Sequence, residues 1–196
     1  AASDVYKRQV QFHPEALATA GDSISARFFY FLVQKAATYR HAKEIHRRIL
    51  SLDTHTDTPL DFDVSYNIGT REKTQVCLPK MREGKLDGQY LACWVRQGLC
   101  DEENSLKAID RVDELIRHIY RQVEMNGEQC AIARTPDDLS RLKTEGKKAF
   151  YIGIENGYGI GKDLKNITRF HDAGVTYIAL CHTRNNDICD SSSDTT

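Results

Sequence analysis

From residue 49 onward, short apolar runs alternate with amphipathic helical patterns, and this alternation narrows the fold more than any other feature. The runs are Ile49–Leu52, Gly88–Val95, Ala149–Ile154 and Val175–Cys181. Their length and content predict buried strands. After the second run, Asp101 and Asn104 offer caps to a long helix whose apolar residues Leu106, Ile109, Val112, Leu115, Ile116, Ile119 and Val123 recur at helical spacing. Thr135-Pro136-Asp137-Asp138 opens another helix, which runs to about Gly146, with cap, proline and acid in the order a helix start favours. A last helix covers about Asp163 to Ala173 and is closed by Gly174. Residues 60–86 read as polar and irregular, with a turn at Asn67-Ile68-Gly69-Thr70. Strands joined by helical crossovers predict an α/β fold with a parallel sheet, and their even spacing predicts the N-terminal half of a (β/α)8 barrel.

Chemistry-bearing residues collect just past the strands. The first strand runs into Asp53-Thr54-His55-Thr56-Asp57-Thr58-Pro59. Residues i and i+2 of a strand share a face, so His55 and Asp57 are expected to aim an imidazole nitrogen and a carboxylate oxygen at one point. That donor pair suits a divalent metal. Glu155 follows the third run and His182 the fourth. In barrel enzymes the site is built at the carboxyl ends of the strands, and these residues from three separate strands obey that rule. His41 and His46 lie among basic residues that repel a cation and are expected to face solvent; His118 lies outside the apolar stripe of its helix.

The 40% hydrophobic and 28% charged content of the 196 residues is enough to build a core, and the formal net charge of −1 gives no basic excess for nucleic acid or an anionic membrane surface. No apolar run reaches membrane-spanning length, the longest dense one being Phe28–Val33. Six cysteines are scattered without Cys-x-x-Cys spacing, several in apolar runs, which predicts reduced thiols and a cytoplasmic setting.

The residues before the alternation are of another kind. Residues 1–9 carry no assignable function, and Ser3–Gln9 resembles translated adapter sequence. Val10-Gln11-Phe12-His13-Pro14-Glu15, a polar turn and a helix from about Ile24 to Tyr39 then resemble the C-terminal end of class I glutamine amidotransferase-like hydrolases of the gamma-glutamyl hydrolase type. That resemblance implies His13 as general base and Glu15 as its orienting partner, without the cysteine they would serve. Residues 10–40 are therefore expected to end such a domain, 41–48 to form a linker helix, and 49–196 to form the partial barrel.

Over residues 45–194 the chain resembles the membrane dipeptidase (renal dipeptidase-like) metallopeptidases. The resemblance rests on Asp53–Pro59, on Leu78-Pro79-Lys80-Met81-Arg82-Glu83-Gly84 with Gly88-Gln89, on Ile152-Gly153-Ile154-Glu155-Asn156-Gly157, and on His171–Asn186. It implies dipeptide hydrolysis at two zinc ions (Zn2+) that activate water. His55 and Asp57 would hold one ion, Glu155 would bridge both, and the substrate-binding His182 would hydrogen-bond the oxyanion. The family usually has glycine at the position of Asn156, tyrosine at that of His171 and arginine at that of Thr176. Its other zinc ligands, two histidines, and its substrate-carboxylate arginine lie on later strands, which none of the seven histidines here supplies. The chain is accordingly expected to be a fragment, inactive alone, of a parent compatible with a homodimer. Two other assignments remain open at this point: another amidohydrolase-like metal hydrolase, which normally opens with His-x-His, and a metal-free barrel acting as a scaffold or binding module.

Overall fold

The computed structural model describes residues 23–70 and 73–194, and the chain divides into two compact units, residues 1–49 and 50–196. His13 and Glu15 lie outside the described residues. In the first unit, helix α1 runs unbroken from Ser23–Arg48, so the expected helix and the charged segment after it are one element. His41 and His46 are exposed on it.

The second unit is built on a five-stranded parallel sheet: β1 (Leu52–Asp53), β2 (Gly88–Trp94), β3 (Cys130–Ile132), β4 (Lys148–Glu155) and β5 (Val175–Ile178). β4 is central. One of its edges pairs with β2 from Gly88↔Ala149 to Trp94↔Glu155, and β2 pairs in turn with β1. The other edge of β4 is shared, with β3 along its start and β5 along its end. Because every pairing is parallel, the carboxyl ends of β1, β2, β4 and β5 emerge on one side of the sheet.

Four helices connect these strands: α2 (Leu78–Gly84), α3 (Glu102–Met125), α4 (Pro136–Thr144) and α5 (Lys165–Asp172). α3 sets Val112, Leu115, Ile116 and Ile119 against Leu91 and Cys93 of β2 and Phe150, Ile152 and Ile154 of β4, all buried. Burying an aliphatic side chain of this size contributes about 1.5–3 kcal/mol, which makes this contact the main support of the sheet. Ala149 and Tyr151, at the alternate positions of β4, join Leu139 and Leu142 of α4 in a second cluster. The start of α4 is a capping box. Thr135 Oγ1 accepts from the Asp138 amide, and the Asp138 carboxylate accepts from the amide of Thr135.

Four features depart from the sequence expectations. Of the run Ile49–Leu52 only Leu52 enters a strand, the two-residue β1, and it is exposed, because β1 is an edge strand paired on one side only among the described residues. β3 is an additional strand, and α2 an additional helix that starts with Pro79 in its first turn. The segment after β1, expected to be polar and irregular, buries Phe62, Tyr66 and Ile68. It is held by Gln122 of α3, whose amide oxygen accepts from Ile68 N at 2.8 Å and whose amide nitrogen donates to Tyr66 O at 2.8 Å. A buried polar side chain on an apolar helix face is tolerable because both ends of its amide are bonded.

Candidate metal centre

The sheet delivers three side chains to one point. β1 is anchored at its start by Asp87, whose Oδ2 accepts from the amide and the hydroxyl of Ser51, each at 3.0 Å, and from Lys143 at 2.8 Å. Past Asp53 the backbone leaves the strand but stays registered on β2, since Thr56 O accepts from Ala92 N at 3.0 Å. Thr56 and Thr58 share a hydroxyl–hydroxyl bond of 2.8 Å, and Pro59 is the second residue of a 3₁₀ turn, Thr58–Asp61. In this fixed loop His55 Nε2 lies 3.6 Å from Asp57 Oδ1. The pair converges as expected, although in a loop after the strand and not on the strand itself.

Glu155, the last residue of β4, completes the group. Its Oε2 is 3.3 Å from His55 Nε2, and ligand atoms of His55, Asp57 and Glu155 all lie within 4.8 Å of one another. Its Oε1 is 3.4 Å from Nε2 of His182, which lies four residues past β5. Burial raises the Glu155 carboxyl above its ordinary range and the adjacent Asp57 carboxylate adds to the rise, whereas His55 and His182 pull it down. Oε2 is moreover buried without a hydrogen-bond partner. A buried carboxylate oxygen left unbonded beside a second carboxylate is costly, and a cation at this point removes both the repulsion and the vacancy in bonding. One imidazole nitrogen and two carboxylate oxygens form a donor set that fits zinc.

His182 is held from two sides. Its ring meets the edge of Trp94, with centroids 6.0 Å apart at 78°, and its backbone oxygen accepts from Ser191 Oγ at 2.8 Å. Beneath the group, on the same face of the sheet, the Tyr177 ring occupies the space that a side chain at Gly153 would need. Tyr90 stacks on Tyr151 at 4.8 Å and meets Tyr177 at 5.1 Å. Burial, with the nearby Glu155 second, pushes the Tyr177 phenol up to about 12.

The residue that most organises the site is one to which the sequence assigns no role. Asn156 is fully buried with φ at +83°, a region that favours glycine. Its Nδ2 donates to Val95 O and Gln97 Oε1, both at 3.2 Å. Its Oδ1 accepts from Tyr158 N at 3.2 Å and from Asn186 Nδ2 at 3.0 Å. One amide thus ties the segment after β2, the end of β4 and the loop carrying His182. Asparagine at a glycine-like position is the only signal of this in the sequence. Of the other two departures from the family pattern, His171 is exposed on α5, and Thr176 Oγ1 donates to the Tyr90 hydroxyl at 3.4 Å.

A family model described as membrane dipeptidase (peptidase family M19) matches residues 39–196. Among curated proteins, the chain is 27% identical over 164 residues to dipeptidase ataJ of Aspergillus terreus, covering 78% of this chain and 40% of that protein. It is 23% identical over 181 residues to dipeptidase aclJ of Aspergillus oryzae, covering 82% and 41%. Among solved structures, the probable dipeptidase PvdM from Pseudomonas aeruginosa aligns with a TM-score of 0.67 at 30% identity, over 78% of this chain and 40% of that one. A metallopeptidase from Rhodobacter sphaeroides, solved with a phosphinate mimic of the dipeptide L-Ala-D-Ala, shares the fold with a TM-score of 0.61 at 19% identity, over 70% and 47%. The chain therefore spans about 40% of the length of the curated relatives it matches.

Proposed function

Because the chain belongs to the membrane dipeptidase family, peptidase family M19, we propose that its parent protein is a zinc-dependent dipeptidase. The observation that carries this is the convergence of His55, Asp57 and Glu155 within 4.8 Å around a buried, unbonded carboxylate oxygen. In this reading His55, Asp57 and Glu155 Oε2 hold one ion. The Glu155 carboxylate would be shared with a second ion, as in the family the chain resembles. When bound, zinc lowers the pKa of a water molecule and polarises the scissile carbonyl.

The chain's own residues supply the rest. His182 Nε2 donates to the oxygen on which negative charge develops as the peptide bond is attacked. The Trp94 edge and the Ser191 hydroxyl keep its ring and backbone in place, so little reorganisation accompanies that charge. The parallel sheet is read as half of a (β/α)8 barrel, with the substrate entering at the carboxyl ends of its strands. We read the 196 residues alone as inactive on dipeptides, the expectation for a chain that spans about 40% of the curated relatives it matches. Residues 10–40 are read as the end of an amidotransferase-like domain on the Phe12-His13-Pro14-Glu15 motif.

The test is an assay of the full-length parent, metal-stripped and zinc-restored, on dipeptides and on cyclic amides and lactones. Dipeptide hydrolysis should vanish with a chelator and return with zinc. Turnover of cyclic substrates alone, or chelator-resistant hydrolysis, would contradict the assignment.

A further inference from the structure

Beside His182 a cavity of about 220 Å³ lies between the segment after β2 and the loop after β5, lined by Trp94, Arg96, Gln97, His182, Thr183 and Arg184. This is less than the volume of a pocket for a drug-sized ligand and suits one side chain or end of a small substrate. Its walls are built. Trp94 supplies an apolar surface, and Gln97 is held by the buried Asn156. The cavity also carries two guanidiniums, one from each segment. Arg141 and Arg169 are held by Asp138 and Asp113, but Arg96 and Arg184 have no acidic partner among the described residues. Two planar donors from separate elements, lining one small cavity and without an acidic partner among the described residues, match a carboxylate, which arginine binds through paired hydrogen bonds.

We propose that this cavity is a carboxylate subsite in which Arg96 and Arg184 bind an anionic group of the substrate next to the reacting carbonyl. The proposal rests on the reading of the adjoining centre as a dipeptidase site. The carboxylate has two sources, the side chain of an acidic residue or the terminal carboxylate of the dipeptide. Both arginines are exposed and neither has an acidic partner among the described residues, so their removal leaves the core intact.

The experiment uses the zinc-loaded full-length parent as wild type, Arg96→Gln, Arg184→Gln and Arg184→Lys. kcat/KM is measured on alanyl-glutamate and alanyl-glutamine, and glutarate is titrated by calorimetry as a carboxylate probe without a scissile bond. An acidic side chain in the cavity gives an about tenfold preference for alanyl-glutamate, the size of one charge-assisted hydrogen bond, which falls to parity in both glutamine variants. A terminal carboxylate there gives no such preference, and both substrates lose about tenfold, through KM, in the same variants. In either case Arg184→Lys recovers part of the loss. Unaltered kcat/KM and unaltered glutarate affinity in both glutamine variants overturn the proposal. Should the wild type turn over no dipeptide, calorimetry decides. Weaker glutarate binding in the variants upholds the subsite while the dipeptidase reading fails, and equal binding rejects the subsite as well.

Discussion

Glu155 Oε1 lies 3.4 Å from His182 Nε2, joining the last residue of β4 to the loop that follows β5. The same carboxylate reaches His55 with its other oxygen. A single half-buried acid therefore fixes the distance between the proposed metal ligands and the residue proposed to meet the oxyanion. Replacing His182 with alanine in the parent should lower kcat by about a hundred- to a thousandfold, the usual cost of removing one donor to a developing oxyanion. Zinc content should stay at the wild-type level. Loss of zinc along with activity would make His182 a metal ligand instead.

Glu155→Gln keeps the shape of the side chain but removes its charge. The variant should bind zinc at least about tenfold more weakly, as a divalent cation loses an anionic ligand, and should lose measurable turnover with it. Metal content by atomic absorption after dialysis and a dipeptide assay check this together. Wild-type zinc retention would mean that the carboxylate serves another purpose.

Asn156→Ala should destabilise the protein by about 2–4 kcal/mol, because a positive φ is strained for alanine and four hydrogen bonds lose their partner. Asn156→Gly relieves the strain and should cost less. Urea unfolding measures both, and protease cleavage within residues 182–191 should quicken in each if Asn156 holds that loop. Equal stability of the two variants would show that the backbone angle is not under strain.

The α4 cap gives a pH signature. The Arg141 guanidinium, then the amide of Arg134 and the hydroxyl and amide of Thr135, hold the Asp138 carboxyl well below the usual carboxylate range. A carboxyl depressed by folding contributes stability that is full above its unfolded value, near pH 4, and is lost as pH falls through the folded value. The deficit of Asp138→Asn relative to wild type should therefore be larger at pH 7 than below pH 3. Thr135→Ala should cost about 1 kcal/mol at pH 7 through the lost cap and less below pH 3, since its hydroxyl is one of the donors to Asp138. A pH-independent Asp138→Asn deficit would contradict the assignment.

The strands at 88–95 and 149–154 and the helices opened by Asp101 and Thr135 were legible because apolar period and capping residues agree locally, whereas the strand expected over 175–181 ends at Ile178. The strand-end position of Glu155 follows from that order alone, whereas His182 lies in the loop four residues past β5. β3 was not legible, since Cys130–Ile132 is too short to show a period and is defined by its pairing with β4. α2 lay within the stretch read as irregular, although proline in the first helical turn is favourable. Gln122 and Asn156 were illegible for a common reason. Each has side-chain partners more than fifty positions away, Tyr66 and Ile68 for Gln122 and Val95 and Gln97 for Asn156, so no local pattern marks the tie.

The most direct measurement of the central claim is anomalous X-ray diffraction at the zinc edge from crystals of the zinc-loaded parent. The account predicts a peak about 2.0–2.2 Å from an imidazole nitrogen of His55, a carboxylate oxygen of Asp57 and Oε2 of Glu155. Zinc density elsewhere, with these three side chains free of metal, would contradict it.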